Sequence, residues 1–114
     1  GDATAQEMPD SVVTTVIAED LQTVWAMAEA PDGRLFLTER AGHVRTIVRD
    51  QLVPEPWAEL TVHEVAGDEA GLMGIAIDPD FGSNGFVYLC YSTSDAPRIV
   101  TNRVVRMRDI GGVG

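Results

Sequence analysis

The residues of this chain able to do chemistry are few and scattered. His43 and His63 carry imidazoles, which titrate near neutral pH. Neither has a Cys, Asp or second His at metal-ligand spacing. His43 falls on the polar phase of a strand and His63 in a connecting segment, so both read as surface residues. Asp78 and Asp80 flank Pro79 and superficially resemble a calcium loop, but further oxygen donors at alternate spacing are missing. Asp-Pro-Asp capping its own backbone as a turn is the better reading. Cys90 sits within an apolar run and reads as a buried small hydrophobe. Glu39 and Arg40 end a strand, where a local ion pair has little energetic value. Arg103 and Arg106 read as ordinary outer-strand charges. The sequence has no phosphate-binding glycine loop, nucleophile elbow or zinc pattern.

The elements that would position these residues are strands. Val12 to Ile17 is a β-branched run and predicts a first strand. Val24 to Glu29 and Leu35 to Thr38 flank Ala30-Pro31-Asp32-Gly33-Arg34, a turn sequence that predicts a hairpin. After Ala41-Gly42, His43 to Val48 alternates polar and apolar residues as a half-buried strand does. Arg49 to Asp68 holds Pro54, Pro56 and several acids, predicting a long connection with a short strand near Leu60 to Val65. The pattern then restarts with Leu72 to Ile77, an Asp-Pro-Asp-Phe turn, Phe86 to Tyr91, and Asn102 to Arg108.

Placing Ala26 to Gly33 beside Gly74 to Phe81 gives a spacing of 48 residues, and Val44 to Asp50 matches Val104 to Asp109 in the same order. Units of several strands at such spacing predict an all-β chain made of propeller blades, about two of them, built from antiparallel strands. A small closed β-sandwich with accidental self-similarity is the competing architecture. The expected organisation is one domain over residues 1–114: a flexible start over 1–10, a first blade region over about 11–50, a connection over about 51–71 and a second blade over about 72–109. Gly111-Gly112-Val113-Gly114 reads as a loop or a truncation.

Composition narrows the function. The net charge of −10, with eight Lys and Arg scattered along the chain, argues against nucleic acid, whose phosphates require clustered cations. No apolar run approaches the roughly 20 residues that span a bilayer. One cysteine excludes an internal disulfide framework. The polar opening from Gly1 to Asp10 is compatible with either a removed export signal or an expression boundary.

Four stretches, in order, resemble a known family: Trp25 to Ala28 with Pro31 to Arg45; Gly67 to Ala76; Asp78 to Phe81 with Asn84-Gly85 and Val87-Tyr88; and Asn102 to Arg106. Together they are similar to the first two blades of the glucose/sorbosone dehydrogenases. The resemblance implies a six-bladed propeller, periplasmic or extracellular, that binds pyrroloquinoline quinone (PQQ) and calcium and oxidises the C1 hydroxyl of an aldose to a lactone with an electron acceptor. It implies that the catalytic histidine and the cofactor-binding residues lie in later blades, so that this chain is inactive alone and binds no cofactor by itself. One position carries over: Glu69 aligns with a glutamine close to the sugar, where its carboxylate would accept a hydrogen bond from a hydroxyl. A solvated loop acid is the alternative for Glu69. Non-catalytic extracellular propellers that bind a protein or glycan, and sugar lactonases, are the alternative functions. An isolated chain of this kind exposes a sheet edge and an apolar face, and is expected to self-associate.

Overall fold

The structure, a computed structural model, describes residues 11–62, 71–96 and 99–114. It contains two antiparallel sheets and one short helix. The first sheet is formed by β1 (Val24–Glu29), β2 (Leu35–Glu39), β3 (His43–Val48), β4 (Gln51–Leu52) and β5 (Ala58–Glu59). The second is formed by β6 (Leu72–Ile77), β7 (Phe86–Ala96) and β8 (Ile99–Arg108) in that order. Between β6 and β7 lies α1 (Phe81–Asn84).

The β1–β2 hairpin forms for the reason the sequence suggests. Gly33 takes a positive φ of 93° and donates its N–H to the Ala30 carbonyl at 2.9 Å, while the Asp32 side chain accepts the Arg34 N–H at 3.0 Å. In the second sheet the corresponding turn is longer. Asp78 accepts the Asp80 N–H at 2.8 Å through Oδ1 and the Phe81 N–H at 3.0 Å through its carbonyl, and Gly85 closes α1 in the left-handed conformation. Asp-Pro-Asp thus acts as a turn that caps its own backbone.

β4 and β5 both pair with the outer edge of β3, Ile47 opposite Leu52 and Val44 opposite Ala58. They are two ends of a single edge strand interrupted at Pro54 and Pro56, which have no N–H to give to a ladder. Val53 and Trp57 bridge the gap, donating to Thr46 and Val44 at 2.9 and 2.7 Å. With this strand counted once, the first sheet has the four strands of a propeller blade. Residues read from sequence as connection therefore complete that blade. The strand expected near Leu60 is absent at 60–62, because the edge of β3 is already occupied by β4 and β5; residues 63–65 lie outside those described.

The strand expected at Val12 to Ile17 is not formed. These residues are exposed and pair with no strand among the described residues, so their β-branched side chains have no sheet to pack on.

The repeat is preserved in three dimensions. β1 and β6 pack side by side, and each carries a bulge at its start, between Val24 and Ala26 and between Leu72 and Gly74, 48 residues apart. The core lies between the two sheets and contains Phe36, Val44, Trp57, Leu72, Phe81, Val87, Leu89 and Tyr91. This places one blade on the next. Phe36, Met73 and Tyr88 take up packed or half-buried positions as expected, whereas Trp25 is 46% exposed, because it lies on the side of β1 away from the second sheet. Cys90 is half-buried, not enclosed, for the corresponding reason on β7.

Candidate functional site

Two clusters of polar residues stand at opposite ends of the paired inner strands. The first is where β1 and β6 begin. Here the Arg40 backbone ties the two blades together: its N–H donates to the Thr23 carbonyl at 3.1 Å and its carbonyl accepts the Leu72 N–H at 2.9 Å. Gly71, just before β6, has a φ of 133°, and a Cβ there would lie 2.8 Å from Arg40 Cγ and closer still to the Arg40 carbonyl oxygen. Only glycine permits this approach. Its own carbonyl accepts the Ser92 N–H at 3.0 Å. The motif Glu69-Ala70-Gly71 therefore enters the second blade at a fixed point beside the start of both inner strands. Glu69 itself, and His63, lie outside the described residues.

On the far face of the first sheet, at this same end, Glu39 is 1% exposed. Its Oε2 accepts the Gln22 N–H at 2.7 Å, and its Oε1 faces Arg45 at 3.6 Å and His43 Nδ1 at 3.4 Å. Arg45 also donates to the Val53 and Pro54 carbonyls, at 3.3 and 3.4 Å, while its Nε is buried without a hydrogen bond. The sequence reading of Glu39 as a strand-end residue of little consequence is thus corrected: cross-strand pairing of β2 with β3 puts His43 and Arg45 against it, and a buried carboxylate needs such partners. His43 leans on Glu39 from a largely exposed position, in keeping with a surface role.

The second cluster lies at the turn ends. Arg34 makes a two-point contact with Asp109, Nη1 to Oδ1 at 3.1 Å and Nη2 to Oδ2 at 2.9 Å, and also pairs with Asp32. The guanidinium stands over the rings of Phe36 and Phe81 at 5.2 and 5.5 Å. Trp57 Nε1 donates to Asp109 Oδ1 at 2.7 Å, and its ring meets Phe36 edge-on at 5.2 Å. Hydrogen bonding to Arg34 holds the carboxyls of Asp109 and Asp32 below the usual range, with Trp57 adding to the effect on Asp109; the same bonds raise the Arg34 pKa. A cleft of about 340 Å³ opens beside this cluster, lined by Pro31, Arg34, Phe81, Ser83 and Arg108 among others. The polar groups that reach it are already paired with one another. Nearby, Tyr88 donates its hydroxyl to Asp78 Oδ2 at 2.6 Å, which lowers the Asp78 pKa and raises that of Tyr88.

This fastening between blades was not read from sequence. Its signals were present, a cation in the first turn and an acid at the end of the last strand, but at a separation of 75 residues only the fold pairs them. Among the described residues no three His, Cys, Asp or Glu side chains converge to hold a metal ion, and none of their helices is long and apolar enough to cross a membrane.

Two stacked antiparallel blades with inner strands in matching register define part of a β-propeller. The family model described as Glucose / Sorbosone dehydrogenase matches residues 21–111, and the chain belongs to that family. It is similar to a putative oxidoreductase (glucose dehydrogenase) from Thermus thermophilus, with 34% identity and a TM-score of 0.74 over 86% of this chain and 28% of that one. It is also similar to the PQQ-bound aldose sugar dehydrogenase of Streptomyces coelicolor, with 30% identity and a TM-score of 0.69 over 84% of this chain and 27% of that one. Among curated relatives, an uncharacterised protein of Synechocystis is 36% identical over 99 residues, 78% of this chain and 24% of that protein. The Hedgehog-interacting protein of Mus musculus is 34% identical over 68 residues, 54% of this chain and 9% of that protein. The chain thus spans about a quarter or less of the curated relatives it matches.

Proposed function

We propose that this chain supplies two adjacent blades of a PQQ-dependent aldose dehydrogenase that oxidises the sugar C1 hydroxyl to a lactone outside the cytoplasm. The observation that carries this reading is the fixed start of the second blade, where Gly71 packs on Arg40 and leads directly back to Glu69, in a chain similar to a PQQ-bound aldose sugar dehydrogenase. The described residues contain no donor set for calcium and no unpaired polar group suited to a quinone, so no step through either is assigned to them. The redox chemistry would belong to the cofactor, held by other blades. The contribution of this chain is to position: the Arg40 backbone locks the starts of β1 and β6, and the segment carrying Glu69 presents one carboxylate to a sugar hydroxyl.

A second reading, a non-catalytic binding propeller, is favoured by the similarity to the Hedgehog-interacting protein, which covers just over half of the chain. Dye reduction by the complete protein, loaded with PQQ and calcium and offered a panel of aldoses, separates the two. The dehydrogenase reading expects sugar-dependent reduction with a KM raised by Glu69→Ala. Sugar-independent dye colour under the same loading overturns it.

A further inference from the structure

We propose that the 114-residue chain binds further copies of itself head to tail, the outer face of the first sheet of one copy seating on the outer face of the second sheet of the next. The register defines the two faces. Residues paired across a ladder share a side, so Gly74, Cys90 and Val104 lie together, as do Ala76, Tyr88 and Arg106. Ile75, Leu89 and Val105 lie on the opposite side, which is the one that packs on the first sheet. In the first sheet, Ala26, Thr38 and Val44 face the second sheet, and Met27, Leu37 and Arg45 face away.

The 48-residue repeat then states what fits where. Ala26 and Ala28, which receive the second sheet, correspond to Gly74 and Ala76, and Met27 and Glu29 correspond to Ile75 and Ile77, which do the inserting. The chain's own interface is thus large side chains of one blade on small ones of its neighbour. Both halves of that interface recur unpartnered. Trp25 and Met27 protrude from β1, with Met27 62% exposed, and Gly74, Ala76, Cys90 and Val104 help line a shallow depression of about 240 Å³. Thr38, which donates its hydroxyl to the Met73 carbonyl at 3.2 Å, corresponds to Cys90, and Met73 corresponds to Trp25.

Charge agrees with shape. The receiving face carries Arg106 and, at the end of the ladder, Arg108 opposite Phe86. The inserting face brings Glu29 to the equivalent end of β1. Because the two faces differ, the contact is heterologous and propagates beyond a dimer unless rotation closes it into a ring.

Sedimentation velocity on the purified chain tests this, with variants at two exposed positions, Met27→Glu on the inserting face and Ala76→Glu on the receiving face. Wild type is expected to form concentration-dependent species larger than a dimer, and each variant alone to sediment as a monomer with an unchanged circular dichroism spectrum. An equimolar mixture of the two variants retains one intact interface and is expected to form a 1:1 dimer and nothing larger. Trp25→Gln, also at an exposed site, replaces Met27→Glu in the same scheme if that variant loses its native spectrum. Monomeric wild type overturns the proposal. So does a mixture that stays monomeric, or a variant at one face that still assembles by itself, which would mean a symmetric contact or pairing through the strand-like segment 12–17.

Discussion

Replacing Asp109 with asparagine removes the charge from the contact that joins the first turn to the last strand. The carboxylate takes two hydrogen bonds from Arg34 and one from Trp57 Nε1, and the Arg34 and Asp109 side chains are only 16% and 15% exposed. Breaking a fully buried pair by removing one partner costs about 3–5 kcal/mol; the residual exposure here, and the amide oxygen that still accepts from Trp57, bring the expected loss to about 2–3 kcal/mol. For a domain of this size that lowers Tm by about 10–15 °C. Urea unfolding of wild type, Asp109→Asn, Arg34→Met and the double variant measures both the loss and its origin. The double variant should cost clearly less than the sum of the singles, since either one already breaks the pair. A loss under about 0.5 kcal/mol for Asp109→Asn, or additive singles, would refute the view that this contact fastens the blades.

Other expectations follow from single features. The Arg49-Asp50 turn has positive φ at both residues, 51° and 62°, so Arg49→Asn with Asp50→Gly should raise stability by about 1 kcal/mol, seen as a higher urea midpoint. Gly71→Ala should cost more than about 2 kcal/mol, through both its φ and the clash with Arg40, and in the complete protein should impair sugar oxidation along with stability. The carboxyls of Asp32, Asp78 and Asp109 are all held below their ordinary value. Their contribution is therefore present above about pH 4, the unfolded value, and is lost as pH falls through the lower folded values; acid unfolding of Asp109→Asn should show a flatter pH dependence in that window. Tyr88 should ionise above the ordinary tyrosine range in ultraviolet titration, and Asp78→Asn should bring it back down.

Six of the strands could be read from the chain because each carries its own local reason: alternation, a turn residue, or a break at glycine. The misreadings share a different cause. Val12 to Ile17 has the composition of a strand, but a strand also needs a neighbour, and the described residues offer none. The edge strand around Pro54 and Pro56 was hidden because its prolines look like a loop, whereas its hydrogen bonds come from Val53 and Trp57 on either side. Trp57, 1% exposed, went unnoticed for the same reason. Glu39 and Asp109 bear the kind of charge that usually faces solvent, and only pairing across strands or between blades reveals them as enclosed. At the candidate site, Gly71 was legible as a residue allowing close approach, while the partner it approaches, Arg40, was not.

The central claim is that these blades belong to a quinone-dependent sugar dehydrogenase. Titrating the complete protein with PQQ in the presence of calcium, and following the cofactor's absorbance, tests it most directly. Saturable, calcium-dependent uptake of one cofactor per chain is predicted. Absence of uptake under metal-replete conditions would contradict the account and leave a binding propeller in its place.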